Sequence, residues 1–224
     1  MTARNLIGVL LGAIGVALLV PAAPAAAAGP RPQVMDLAQQ SWECARRAGE
    51  IDGSLLTVID YSLPSTTKRL WVLDMVRHRV LWHELVAHGE GSGDIEAVEF
   101  SNQPGSRCSS LGLFRTEDIY RGRHGASLRL EGLEPGINDN AMDRALVIHG
   151  APYVNTRVVA AYGRLGRSWG CPALDRRVSR SIIDRIKGGS AVFAYYPDAR
   201  WLARSRFLHC GQRLASGDVS AARP

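Results

Sequence analysis

The sequence predicts a β-rich α+β domain with mixed sheets and few helices, and three observations carry that prediction. Runs of β-branched and aromatic residues at strand length recur at residues 55–61, 69–76 and 80–87. Leu70-Trp71-Val72-Leu73 is apolar at successive positions, which places both faces of its strand against packed layers. Helical periodicity is sparse, and helices do not alternate with strands as a doubly wound parallel sheet requires.

At the N-terminus, Arg4 gives a positive region, residues 6–20 are apolar, and residues 21–28 end in small side chains of the A-x-A type. This is the pattern of a secretory signal peptide, so an exported protein of the periplasm or cell envelope is expected. The apolar run is about fifteen residues against the ~20 of a spanning helix, so no stable membrane insertion is expected after cleavage, with an uncleaved anchor as the alternative. Residues 29–54 then read as an N-terminal helical segment, 55–210 as the main domain and 211–224 as a flexible tail. Val34, Leu37, Ala38, Ser41, Cys44, Ala45 and Ala48 recur at helical spacing and define the buried stripe of that segment.

The strands at 69–76 and 80–87 form a hairpin around Arg77-His78-Arg79. His78 is read as solvated in the turn, His83 as a strand residue and His88 as a loop histidine. After a polar, Gly-rich stretch at 89–105, residues 109–114 read as a strand in which Gly112 allows close approach. Residues 126–131 alternate, with Ala126, Leu128 and Leu130 inward and Ser127, Arg129 and Glu131 facing water or a cleft. A turn at Glu134-Pro135-Gly136 leads to a short helix capped from 138–140, then a strand at 145–149. Asp175 is the expected N-cap of a helix with Val178, Ile182, Ile183 and Ile186 inward and Gly188 as its stop. Residues 190–196 form the last strand, and Trp201, Arg204 and Arg206 belong to a short helix or irregular cover.

The 27 Lys and Arg exceed the 21 Asp and Glu, for a formal charge of +6. On an exported protein this favours anionic envelope polymers or headgroups. The basic residues are scattered without aromatic interleaving, which argues against nucleic acid as a partner. Four cysteines, Cys44, Cys108, Cys171 and Cys210, enter an oxidising compartment. With Cys171 kept as a thiol, at most one bridge forms among the other three. Cys44 and Cys210 close the longest loop and are the favoured pair.

Chemistry concentrates between residues 145 and 174. The apolar run Ala-Leu-Val-Ile ends in His149-Gly150, and about twenty residues later comes Ser168-Trp169-Gly170-Cys171-Pro172. Gly170 permits and Pro172 fixes the backbone on either side of Cys171, which suits a side chain held at a sharp bend. A thiol becomes a nucleophile on deprotonation, and His149 is the candidate base. From these residues alone, a catalytic and a structural thiol are both open readings.

VIHGAPYVN (147–155) followed by GRLGRSWGCPAL (163–174) resembles the active-site signature of the L,D-transpeptidase (YkuD-like) family, in its murein L,D-transpeptidase catalytic domain branch. The resemblance extends through IDYSLPSTTKRLWVLD, FSNQPGSRCSSLG, HGASLRLEGLEPGINDNA and GGSAVF. It implies an L,D-transpeptidase-like fold and a cysteine acyl-transferase acting on peptidoglycan stem peptides. Cys171 would form a thioester, and an acceptor amine or water would resolve it by cross-linking or by L,D-carboxypeptidase trimming. By the same resemblance, His149 is the base oriented by the Gly150 carbonyl, and the amides of Trp169, Gly170 and Cys171 form an oxyanion hole. No metal or organic cofactor is implied, and carbapenem-type acylating inhibitors are expected ligands.

Two positions depart from the usual signature. Trp169 stands where a second histidine is common, which leaves His149 alone as acid and base. Pro172-Ala173 replaces the usual Arg or Asn, so a contact made there must come from elsewhere, with Arg167 and Arg129 as candidates. Ser168, His124, Asn102, Ser109 and Ser110 complete the candidate substrate-binding set. Two other readings are a zinc peptidase using His88, His124 and His149, which lacks a compact ligand motif, and a non-catalytic cell-wall-binding domain.

Overall fold

The computed structural model describes residues 29–210, so the signal peptide and tail read from the sequence lie outside the described residues. Nine strands form one mixed sheet in the order β3-β2-β1-β9-β5-β6-β7-β8-β4. They are β1 Leu55–Asp60, β2 Leu70–Asp74, β3 Arg79–Glu84, β4 Val86–Ala87, β5 Gly112–Gly122, β6 Gly125–Gly132, β7 Val147–Ala151, β8 Ala173–Asp175 and β9 Ala191–Tyr195. The β1–β9 and β7–β8 pairs are parallel and the others antiparallel. Four helices accompany the sheet: α1 Pro32–Arg47, α2 Thr156–Tyr162, α3 Arg176–Ile186 and α4 Ala199–Arg204. The molecule is β-rich α+β, as its strand-dominated sequence predicts. No described helix is long and apolar enough to cross a membrane.

Every residue of β1, β2, β7 and β9 is buried, which explains why these strands read as continuous apolar runs. α1 packs on β1 and β9 through Val34, Ala38, Ser41, Trp42, Cys44 and Ala45. A disulfide joins Cys44 on this face to Cys210, 166 residues away. α3 packs on β6, β7 and β8 with Ile182, Ile183 and Ile186 inward, and Asp175 caps it by accepting from the Arg177 amide.

Some local expectations change. The apolar run at 80–87 is two strands, because Leu85 turns into a second small core with Ala87, Val154 and Leu165. β3 pairs with β2, whereas β4 pairs with β8 at the opposite edge of the sheet. The strand expected at 109–114 begins at Gly112 and continues to Gly122, its polar outer half held by Arg115 pairing with Glu117 and Glu131. No helix follows Glu134; residues 135–145 form turns. There Asn138 bonds the Glu134 amide and the Leu111 and Leu113 carbonyls, satisfying buried backbone that a helix would have left open. α2 fills the interval between the His149-Gly150 strand end and the Cys171 bend, capped by Asn155 and stopped at left-handed Gly163.

Candidate active site

β7 delivers His149 and the turn before β8 delivers Cys171. The His149–Ala173 pairing in the parallel β7–β8 ladder fixes one strand end against the other. On its other side His149 lies opposite Ser127 of β6. Opposite residues share a face of the sheet, so His149 and Ser127 both look into one cavity of about 430 Å³. Cys171, Ser168, Trp169, Arg167, Arg123, His124, Arg144 and Tyr153 complete most of its wall.

The bend before Cys171 is over-determined by hydrogen bonds. Gly170 has φ of +118°, and a Cβ there would lie 2.7 Å from the Cys108 carbonyl, so only glycine fits. Ser168 Oγ donates to the Cys171 carbonyl at 2.6 Å and accepts from the Gly170 amide at 3.1 Å. Ser109 Oγ donates to the Gly170 carbonyl and accepts from the Gly89 amide, each at 3.0 Å. The Ser168 amide and carbonyl bond His88 and Glu90, which zips the start of the bend to the chain after β4. Ser168 and Ser109 hold the loop together, and their hydroxyl protons are committed to backbone.

The His149 ring is almost wholly buried, with Nδ1 3.2 Å from the Gly150 carbonyl. A carbonyl only accepts, so Nδ1 carries the proton and Nε2 is left as the lone-pair nitrogen. Gly150 has no space for a side chain, since a Cβ would meet Ser179 Oγ of α3 at 2.4 Å. Burial lowers the His149 pKa to about 4, the Gly150 hydrogen bond opposes this, and His124 and Arg123 lower it further. The His124 ring stacks on His149 with centroids 4.4 Å apart.

The Cys171 thiol rests 3.8 Å from the Ala145 carbonyl, an acceptor set by the left-handed Ala145 at φ +52°. Burial raises its pKa, while the Val147 amide and the Arg144 charge pull the other way. Both groups are therefore neutral at rest near pH 7: a thiol and an unprotonated imidazole that line one cavity walled by arginines. Such a pair suits general-base activation of the thiol during attack.

The family model for the L,D-transpeptidase catalytic domain matches residues 27–195, three quarters of the chain, and spans every element of this site. The chain belongs to the L,D-transpeptidase catalytic domain family. Solved structures similar to it include an L,D-transpeptidase from Mycobacterium smegmatis (15% identity, TM-score 0.39, 64% of this chain and 59% of that one). The L,D-transpeptidase LdtMt1 in complex with imipenem is also similar (17%, TM-score 0.40, 63% and 59%), as is an L,D-transpeptidase from Xylanimonas cellulosilytica (14%, TM-score 0.40, 74% and 94%). The chain thus spans 59% of the length of the first two. None of the curated proteins compared with the chain matches it.

Within this L,D-transpeptidase-family site, the residues singled out from sequence fall into two groups. Cys171, His149, Ser168, Trp169, Arg167 and His124 meet at the cavity. Asn102, Ser109, Ser110 and Arg129 do not line it. Asn102 bonds Asp139 and Asn140 across a separate surface groove, and Ser110 joins the Ser101 carbonyl to Arg144. Arg129 stacks over Tyr120, 4.5 Å from the ring centroid. The three histidines of the zinc reading do not converge. His88 is fully buried with Nδ1 2.7 Å from Arg69 Nη2, and no group of three metal-ligating side chains occurs among the described residues.

Sequence reasoning missed Arg123, Arg144 and Tyr153 in the cavity wall. Arg123 had a local signal, since Gly122-Arg123-His124-Gly125 is a hairpin tip next to a strand already read as cleft-facing. Tyr153 lies within the 147–155 stretch of the signature, whereas Arg144 had no local signal, because the tertiary fold alone brings it to the cavity.

Proposed function

We propose that the protein is an exported L,D-transpeptidase of peptidoglycan that acylates Cys171 with a stem peptide. The observation that carries this reading is the convergence of Cys171 and His149, with Nδ1 fixed on Gly150, on one cavity within a chain of this family. His149 Nε2 takes the thiol proton as Sγ adds to the carbonyl carbon after an L-residue. The adduct collapses as His149 returns that proton to the nitrogen of the departing D-residue, which leaves a thioester and a free amino acid. An acceptor amine then attacks the thioester, gives a proton to His149 and forms the new amide, and the proton passes back to sulfur. Water in place of the amine gives the carboxypeptidase outcome.

The oxyanion falls to the amides of Trp169 and Cys171, because Gly170 N–H is held by Ser168 Oγ in the resting site. Each such donor contributes a few kcal/mol in comparable acyl transfers, roughly 2.7–4. Carbapenems, which carry a strained acyl group, are expected to acylate the same sulfur.

Purified protein given disaccharide tetrapeptides is expected to yield dimers joined without the terminal D-residue, or shortened tripeptides, by mass spectrometry. Cys171→Ala is expected to yield neither, and a carbapenem adduct on the intact wild-type mass is expected to vanish in that variant. Cross-linking by Cys171→Ala would overturn the proposal. Activity that resists iodoacetamide and is lost to a chelator would favour the metal alternative.

A further inference from the structure

We infer that Arg123 is the carboxylate-binding residue of the cavity, holding the free carboxylate of the residue that departs when Cys171 is acylated; the inference rests on the acyl-transfer reading above. Three arginines and no acidic side chain line the cavity. Its field therefore favours an anionic ligand. Two of the three arginines are committed to the protein. Arg144 Nη1 donates to the Ser101 carbonyl and Ser110 Oγ, both at 2.5 Å, and Nη2 to Ser106 Oγ and the Cys108 carbonyl at 3.2 and 2.6 Å. Arg167 Nη1 donates to the Gly93 carbonyl at 2.8 Å and pairs with Asp94 at 3.4 Å.

Arg123 is placed differently. Its Nε donates to His124 Nε2 at 3.1 Å, and no carboxylate or carbonyl among the described residues takes up its terminal nitrogens. The end of the guanidinium fork, the part that grips a carboxylate through two parallel bonds, is open. Its carbon lies 5.3 Å from the centroid of the Trp169 ring, over which Arg107 also sits at 4.8 Å. Trp169 is 60% exposed, large apolar surface left in water, and it serves as the platform that keeps Arg123 over the cavity.

Chain chemistry fits this placement. In a departing amino acid the carboxylate and the amine share one carbon, so an anion site must lie about one residue from the proton donor. His124 spans that interval, accepting from Arg123 and stacking on His149. Pro172 offers no side-chain donor beside the nucleophile, and Arg129, one of the two arginines expected to supply the contact, faces Tyr120 instead.

The test uses tetrapeptide donors that end in a D-residue as the free acid or the amide, with wild type, Arg123→Gln and Arg123→Lys. Wild type is expected to favour the acid by about tenfold or more in kcat/KM, the size of one charge-assisted contact. Arg123→Gln is expected to bring the two donors within about twofold by losing turnover of the acid alone, and Arg123→Lys to keep part of the preference. Calorimetric binding of both donors to Cys171→Ala, with and without Arg123→Gln, gives a readout independent of turnover. Equal use of the two donors by wild type, or an equal loss on both in Arg123→Gln, overturns the assignment. Turnover of neither donor by wild type, with Arg123-dependent acid binding retained in Cys171→Ala, overturns the acyl-transfer reading and leaves the carboxylate site standing. No acid preference in that binding experiment overturns the site itself.

Discussion

His149 is held in one tautomer by a single backbone carbonyl, and its burial sets its proton affinity. With a pKa of about 4 it is unprotonated through neutral pH, so the acid limb of kcat/KM is expected well below the ordinary histidine value near 6.5. His149→Gln keeps a donor toward Gly150 and removes the lone pair at Nε2. It is expected to lower kcat by about 10²–10⁴ with little change in the unfolding midpoint, checked by donor turnover and urea denaturation. That Cys171 and His149 meet at one cavity was legible from residue type and motif. The tautomer and the open fork of Arg123 were not, because both depend on which groups sit across the cavity.

At the scale of elements, the turn between α2 and β8 is the most constrained segment near the chemistry. Ser168 is buried and its hydroxyl makes two bonds within the turn, so Ser168→Ala leaves the Gly170 amide and the Cys171 carbonyl without their partner. Loss of about 1–3 kcal/mol in stability is expected by urea denaturation, together with a changed rate of Cys171 alkylation by iodoacetamide as the loop loosens. The β5–β6 hairpin was only half legible. Residues 126–131 alternate cleanly, but no strand was read over 115–122, where ion pairs of Arg115 with Glu117 and Glu131, not an apolar face, help hold the strand in place.

Across the whole molecule, two buried histidines give the stability a pH dependence. His88, pushed down to about 4 by burial and by the Arg69 charge, joins His149 in staying neutral in the folded state. Unfolded, each takes a proton near pH 6.5, so the unfolded chain binds more protons between about pH 4 and 6.5. Stability is therefore complete above that window and falls as pH drops through it, by up to ~3 kcal/mol per histidine at pH 4. Urea midpoints measured from pH 7 to 4 check this, and His88→Gln is expected to shed about half of the slope. The Cys44–Cys210 bridge closes a loop of 166 residues. Its reduction is expected to lower stability by about 2–5 kcal/mol and to leave Cys171, which sits before β8 whereas α1 packs on β1 and β9, able to react with iodoacetamide.

Sequence by itself determined the strand-rich architecture, the α1 and α3 faces, the Asp175 cap and the two residues, Cys171 and His149, that meet at the cavity. These follow from periodicity, capping chemistry and a motif, all of which act over a few residues. Only the tertiary structure decided that residues 80–87 divide between opposite edges of the sheet, that His88 is a buried partner of Arg69, and which arginine is left open beside Cys171. Those outcomes depend on hydrogen-bond partners tens of residues away, and a buried polar group takes whichever partner the packed sheet brings within reach.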